Sequence, residues 1–90
     1  IMAPLVKIAS SKEFDTLAQK HANLVLEVGA DNCSSCKVLM PIVQSVAARF
    51  GSRVHFAQID LGDDPKELVK RFALKAIPTI LVIKKGKLIA

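Results

Sequence analysis

The chain has no tryptophan and no tyrosine, and four phenylalanines are its whole aromatic complement among 90 residues. Little is left with which to stack bases, so a single-stranded nucleic-acid surface is a poor fit. No apolar run reaches the ~18 residues that a membrane-spanning helix needs. The N-terminus lacks a basic segment followed by an apolar one, the pattern of a secretory signal, so the default expectation is a cytoplasmic chain. Ile1 precedes Met2, and Met2 reads as the initiator. Cysteine is scarce as well: Cys33 and Cys36 alone cannot build the disulfide framework of a small secreted fold. With His21 and His55 the only histidines, a four-ligand zinc site within one chain is not expected, nor is any other cofactor. Two chains sharing a metal through four thiolates remain a weaker alternative.

What is present is an ordinary globular composition, 51% hydrophobic and 23% charged, enough for one core and one domain over residues 1–90. The net charge of +5 is spread along the chain, with one tight group at Lys84, Lys85 and Lys87. It reads as a solvated surface and not as a nucleic-acid or membrane interface.

Periodicity divides the chain into alternating strands and helices. Pro4 to Ala9 reads as an edge strand, since a proline at its start gives up no ladder bond. Ser10 and Glu13 have the spacing of a capping box, each side chain taking the other's free N–H. Phe14, Leu17, Ala18 and His21 recur at helical intervals, which predicts a helix over Ser11 to His21. His21 then complements the dipole at that helix's end. Asn23 to Ala30 is apolar but for Glu27, as in a strand covered on both faces. A second helix is expected from Ser34 to Phe50, kinked at Pro41 and stopped by Gly51. Arg53 to Asp60 is a third strand. Asp64 is the expected cap of a helix from Pro65 to Leu74 that buries Leu68, Val69 and Phe72. Pro78 to Ile83 is a fourth strand, Lys85-Gly86 a tight turn, and Lys87 to Ala90 the beginning of a fifth. Strand–helix–strand alternation predicts parallel pairs, and the closing turn an antiparallel hairpin.

Chemistry concentrates at Cys33-Ser34-Ser35-Cys36. The thiolate is the nucleophile, and a helix N-terminus lowers a cysteine's pKa through its unpaired N–H groups and dipole. Cys33 falls where loop becomes helix. Cys36 lies one turn onward, near enough to close a disulfide with it. Cys33 is thus the attacking sulfur and Cys36 the resolving one. Two incidental core cysteines, or half a metal site, are the competing readings of the spacing alone.

The company of that motif decides between them. The run from Leu24 to Lys37, Met40-Pro41, Ala76-Ile77-Pro78-Thr79 and Lys84-Lys85-Gly86-Lys87 together resemble the thioredoxin family, in its order and over about Val6 to Ala90. The resemblance implies an α/β thioredoxin-like fold: a central mixed sheet of four to five strands flanked by helices, with the family's C-terminal helix absent from this chain. It implies a thiol–disulfide oxidoreductase acting on protein disulfides and recharged by a thioredoxin reductase or another dithiol donor. Carried onto this sequence, it makes Cys33 and Cys36 the redox-active pair. Glu27 becomes the buried acid, usually Asp, that takes the Cys36 proton, its pKa raised by burial. Pro78 becomes a cis-proline, with Ile77 offering backbone to an extended substrate.

Several positions depart from the family's pattern. Asn32 replaces the tryptophan before the first cysteine, Gly29 stands where an aromatic residue is common, and Ser34-Ser35 replaces Gly-Pro. No lysine stands on the third strand near the acid, where Ala57 and Gln58 lie. Two hydroxyls able to donate to a thiolate predict a more oxidising couple than that of typical thioredoxin. Asn32, with Ile77 and Pro78, would meet the substrate. The alternative function is a binding module that keeps the groove but has little general reductase activity. A monomer is expected, with a dimer through the uncovered sheet face as the alternative.

Overall fold

The computed structural model describes residues 5–63 and 65–90. Pro4 and Asp64, the expected strand-start proline and helix cap, lie outside the described residues. In chain order the elements are β1 (Val6–Ile8), α1 (Ser11–Lys20), β2 (Asn23–Gly29), α2 (Ser34–Phe50), β3 (His55–Asp60), a 3-10 turn (Leu61–Asp63), α3 (Lys66–Arg71), β4 (Thr79–Lys84) and β5 (Lys87–Leu88).

Local chemistry accounts for most of the boundaries. Ser10 caps α1, its hydroxyl accepting the Glu13 N–H at 3.1 Å. The Glu13 carboxylate reaches one residue further back than a capping box requires and takes the Ala9 N–H at 3.1 Å. The box is thus completed in a shifted form. Pro41 lies inside α2, which runs unbroken past it to Gly51. Gly51 ends the helix at φ 60°, where a side chain would be strained. Lys85 and Gly86 both have positive φ, as the tight turn joining β4 to β5 demands.

The sheet order is β1-β3-β2-β4-β5. β1, β3 and β2 run parallel, while β4 is antiparallel to β2 and β5 to β4. Simple alternation would have made β4 parallel as well. α3 explains the difference: it has six residues, not the ten expected. A helix of that length rises only about 9 Å, too little to carry the chain back along a strand of about 20 Å. The chain therefore enters β4 from the end where β3 stopped.

Side chains alternate across the sheet and build two cores. Leu24, Leu26, Val28, Ala57, Ile59, Leu81 and Ile83 meet Phe14 of α1 and Leu68 of α3 on one face. Phe14 and Phe72 pack edge-on there, 5.6 Å between ring centres. On the other face Val25 and Phe56 lie under Val43 and Ala47 of α2. That second face is only partly covered. An apolar groove of about 440 Å³ runs between α2 and β4, and Ile42, Val46, Phe50, Ile80, Val82 and Ile89 line its walls.

Candidate active site

β2 aims the site. It is central in the sheet, so its residues alternate between two covered faces, and Glu27 points with Val25 and Gly29 toward α2. Glu27 is 3% exposed, flanked in register by Gln58 of β3 and Ile80 of β4. Its Oε2 has no hydrogen-bond partner among the described residues. Burial pushes its carboxyl pKa up, and the nearby Asp60 carboxylate pushes it further in the same direction.

After β2 the chain turns through Asp31 and Asn32, both exposed, and enters α2 at Cys33. Cys33 is the N-cap, with its sulfur in the place usually taken by a serine or aspartate oxygen. Sγ accepts the Cys36 backbone N–H at 3.2 Å. Cys33 and Cys36 form a disulfide with a Cα–Cα separation of 5.2 Å, ordinary for such a bond. The two sulfurs differ in access: Cys33 is half-buried, while Cys36 is 6% exposed. Ser35 Oγ lies 3.5 Å from Cys33 Sγ. In the disulfide neither sulfur carries a proton, so the hydroxyl is the donor. A hydrogen bond to sulfur from Ser34, the second hydroxyl of the motif, is not observed.

Behind Cys36 a cavity of about 170 Å³ opens between β2, β3 and α2, lined by Glu27, Gly29, Lys37, Met40, Gln58 and Asp60 among others. Its volume admits water, and its walls carry polar groups to hold one. The sequence directs attention to β3 for a cation near the acid. The basic residue of this cavity comes instead from α2, as Lys37.

Pro78 joins the same end of the sheet. Thr79 pairs with Val28, so the preceding peptide sits level with Gly29, where the chain leaves β2. That Ile77–Pro78 peptide is cis, and both residues are half-buried. Thr79 Oγ1 donates to the Ala76 carbonyl and closes the loop. Cys33, Cys36, Glu27, Ile77, Pro78 and Asn32 thus share one end of the sheet. His21 and His55 lie at the opposite end, since β3 begins at His55 and finishes at Asp60 beside the site.

Among the described residues no helix is long and apolar enough to cross a membrane. The family model described as Thioredoxin matches residues 5–90. The thioredoxin of Acidithiobacillus ferridurans is 30% identical over 88 residues, 97% of this chain and 81% of that one. The thioredoxin of Staphylococcus saprophyticus is 30% identical over 83 residues, 92% of this chain and 77% of its own length. The oxidised mitochondrial thioredoxin 3 of Saccharomyces cerevisiae superposes with a TM-score of 0.85 at 26% identity, covering 96% of this chain and 79% of that one.

Proposed function

The chain belongs to the thioredoxin family, and we propose that Cys33 and Cys36 divide its thiol–disulfide oxidoreductase chemistry into attack and release. The observation that carries this division is the unequal burial of two bonded sulfurs at one helix N-terminus. In the reduced protein the Cys33 thiolate, held by the Cys36 N–H and the positive end of α2, attacks a substrate disulfide. One substrate sulfur leaves as a thiolate and a mixed disulfide remains. Cys36 then attacks Cys33 Sγ, its proton passing to Glu27 directly or through one water. The Cys33–Cys36 bond forms, the bond to the substrate breaks, and the second substrate sulfur departs with a proton from solvent. Two electrons have moved from the dithiol to the substrate.

Exposed Asn32 and the Ile77-Pro78 backbone form the rim at which an extended substrate segment would lie. With asparagine at 32, that rim offers less apolar surface than a tryptophan would, and partner choice narrows accordingly. The working form in this reading is a cytoplasmic monomer, returned to the dithiol by a reductase. Self-association through the open α2-side face is its alternative.

Trapping tests the assignment. Cys36→Ser incubated with an insulin-type disulfide protein should accumulate a mixed disulfide through Cys33, and Cys33→Ser should accumulate none. A Cys36→Ser protein that stays unmodified yet still retains partners would replace this reading with that of a binding module.

A further inference from the structure

Gly29 is buried at the end of β2, and its backbone explains nothing about why it is glycine: it lies in regular strand, paired with Asp60 across the β3 ladder, and its φ is not in the left-handed region. The reason lies in the space beside it. A Cβ built at residue 29 would stand 2.7 Å from Glu27 Oε2 and 3.2 Å from Cys36 Sγ. The first distance is shorter than any real carbon–oxygen contact of this kind, and the second is tight. The Glu27 carboxyl therefore occupies the space that a side chain at 29 would fill. One point lies that close to both atoms, so Oε2 and Sγ are within about 6 Å of each other, the span of a single bridging water.

Resting on the proposed role of Glu27, we infer that Gly29 is a positioning residue for the release step: its missing side chain lets a glutamate lay its carboxyl against Cys36. Glutamate is one methylene longer than aspartate. The extra length carries the carboxyl along β2 until it lies beside residue 29, and any side chain there would displace it. Glu27 and Gly29 are in this sense one unit, a long acid matched to an empty neighbour. No hydrogen bond among the described residues holds Oε2 in place. Position is set by packing, so a single methyl group is enough to move it.

The step itself is unchanged in balance. Cys36 loses its proton to Glu27, forms the bond to Cys33 Sγ, and expels the substrate thiolate, with the dithiol oxidised and the substrate disulfide reduced. Gly29 touches no reacting bond and acts only through where Glu27 lies.

Stopped-flow reaction of the reduced protein with dithiobis(nitrobenzoate) separates the two sulfurs, the first thionitrobenzoate released reporting Cys33 and the second Cys36. Gly29→Ala should leave the first release unchanged and slow the second by roughly tenfold or more, with loss of its dependence on a titrating acid. Shortening the acid in the same chain, Glu27→Asp with Gly29→Ala, should restore the second rate to within about threefold and bring back the pH dependence. In a Glu27→Ala background, where the carboxyl is gone, adding Gly29→Ala should change nothing further. The inference is overturned if Gly29→Ala behaves as wild type, or if its effect is the same with and without the Glu27 carboxyl. Glu27→Gln distinguishes the two layers: a slow second release with an inert Gly29→Ala sinks the positioning role alone. A normal second release in Glu27→Gln removes the role of the acid and that of Gly29 together.

Discussion

The imidazole of His21 lies flat on that of His55, ring centres 3.9 Å apart and planes 3° from parallel. His21 is the residue that ends α1, and His55 opens β3. His55 Nε2 is buried and without a hydrogen-bond partner among the described residues. A proton there would put a cation against another ring with no acceptor beside it.

The stack predicts a stability that falls in acid. Burial lowers the His55 pKa below its ordinary value, with His21 and Lys20 adding to the effect. In the window from about pH 6.5 down to the folded-state pKa, the unfolded chain binds more protons than the folded one. Stability therefore rises with pH across that window and is lost as pH falls through it. Urea unfolding of wild type and His55→Gln from neutral pH downward checks this. The wild-type slope should be reduced or absent in the variant, and equal slopes would refute the assignment.

Glu27 carries the opposite sign. Its folded-state pKa is raised by burial and then by Asp60, so the folded chain holds a proton that the unfolded chain releases above about pH 4.5. This contribution is fully present below that pH and is lost as pH climbs through the raised value. Glu27→Gln should thus be more stable than wild type at neutral pH, with the gain disappearing toward pH 4. Because the His55 and Glu27 slopes oppose each other, the histidine effect is cleanest in the Glu27→Gln background. A Gln variant less stable than wild type at neutral pH would show that the carboxylate is solvated in the folded protein.

Much of this layout was legible in the chain because it is written locally. A run of apolar residues interrupted only by Glu27 places that acid in a covered strand, and it is buried. Ser10 before an amphipathic stretch predicts a capped helix, and its hydroxyl does cap α1. The features that escaped are set by distance and shape. His21 and His55 are separated by all of β2 and α2, and only the parallel register of β2 on β3 brings the rings together. The direction of β4 depends on how far α3 reaches, which turns on where a six-residue helix ends. Lys37 lines the acid's cavity from α2, a placement that depends on how the helix packs over the sheet and not on strand spacing. Gly29 reads as a lost aromatic residue in one dimension and as a cradle for Oε2 in three.

Core and surface should respond very differently to truncation. Leu68 of α3 is fully buried beneath the sheet, so Leu68→Ala removes transfer energy and leaves a cavity, at a cost of about 2–5 kcal/mol. Arg71 makes more visible contacts, bonding Asp15 at 2.8 Å and Glu67 at 2.6 Å and thereby tying α3 to α1. All three side chains are substantially exposed, and exposed ion pairs contribute about 0–1 kcal/mol. Chemical denaturation should therefore rank Leu68→Ala well below Arg71→Ala. The reverse order would mean that α3 is held by its charges and not by its core residue.

The hydroxyl of Ser35 offers the sharpest test of how this motif sets its potential. Two serines replace Gly-Pro, but only Ser35 Oγ lies within reach of Cys33 Sγ, at 3.5 Å. When the disulfide is reduced, Cys33 carries the developing thiolate, and a donor beside it stabilises the reduced state more than the oxidised one. The couple becomes more oxidising as a result. An exposed, long hydrogen bond to a charged group contributes about 0.5–1 kcal/mol after solvent screening, equivalent to roughly 10–20 mV for a two-electron couple. Ser35→Ala should lower the potential by that amount when equilibrated against glutathione, while Ser34→Ala should leave it nearly unchanged. A larger effect at Ser34 would transfer the donor role to that hydroxyl, and a potential that does not fall in Ser35→Ala would leave the couple to the backbone N–H groups at the helix start, led by that of Cys36 at 3.2 Å, without help from Ser35.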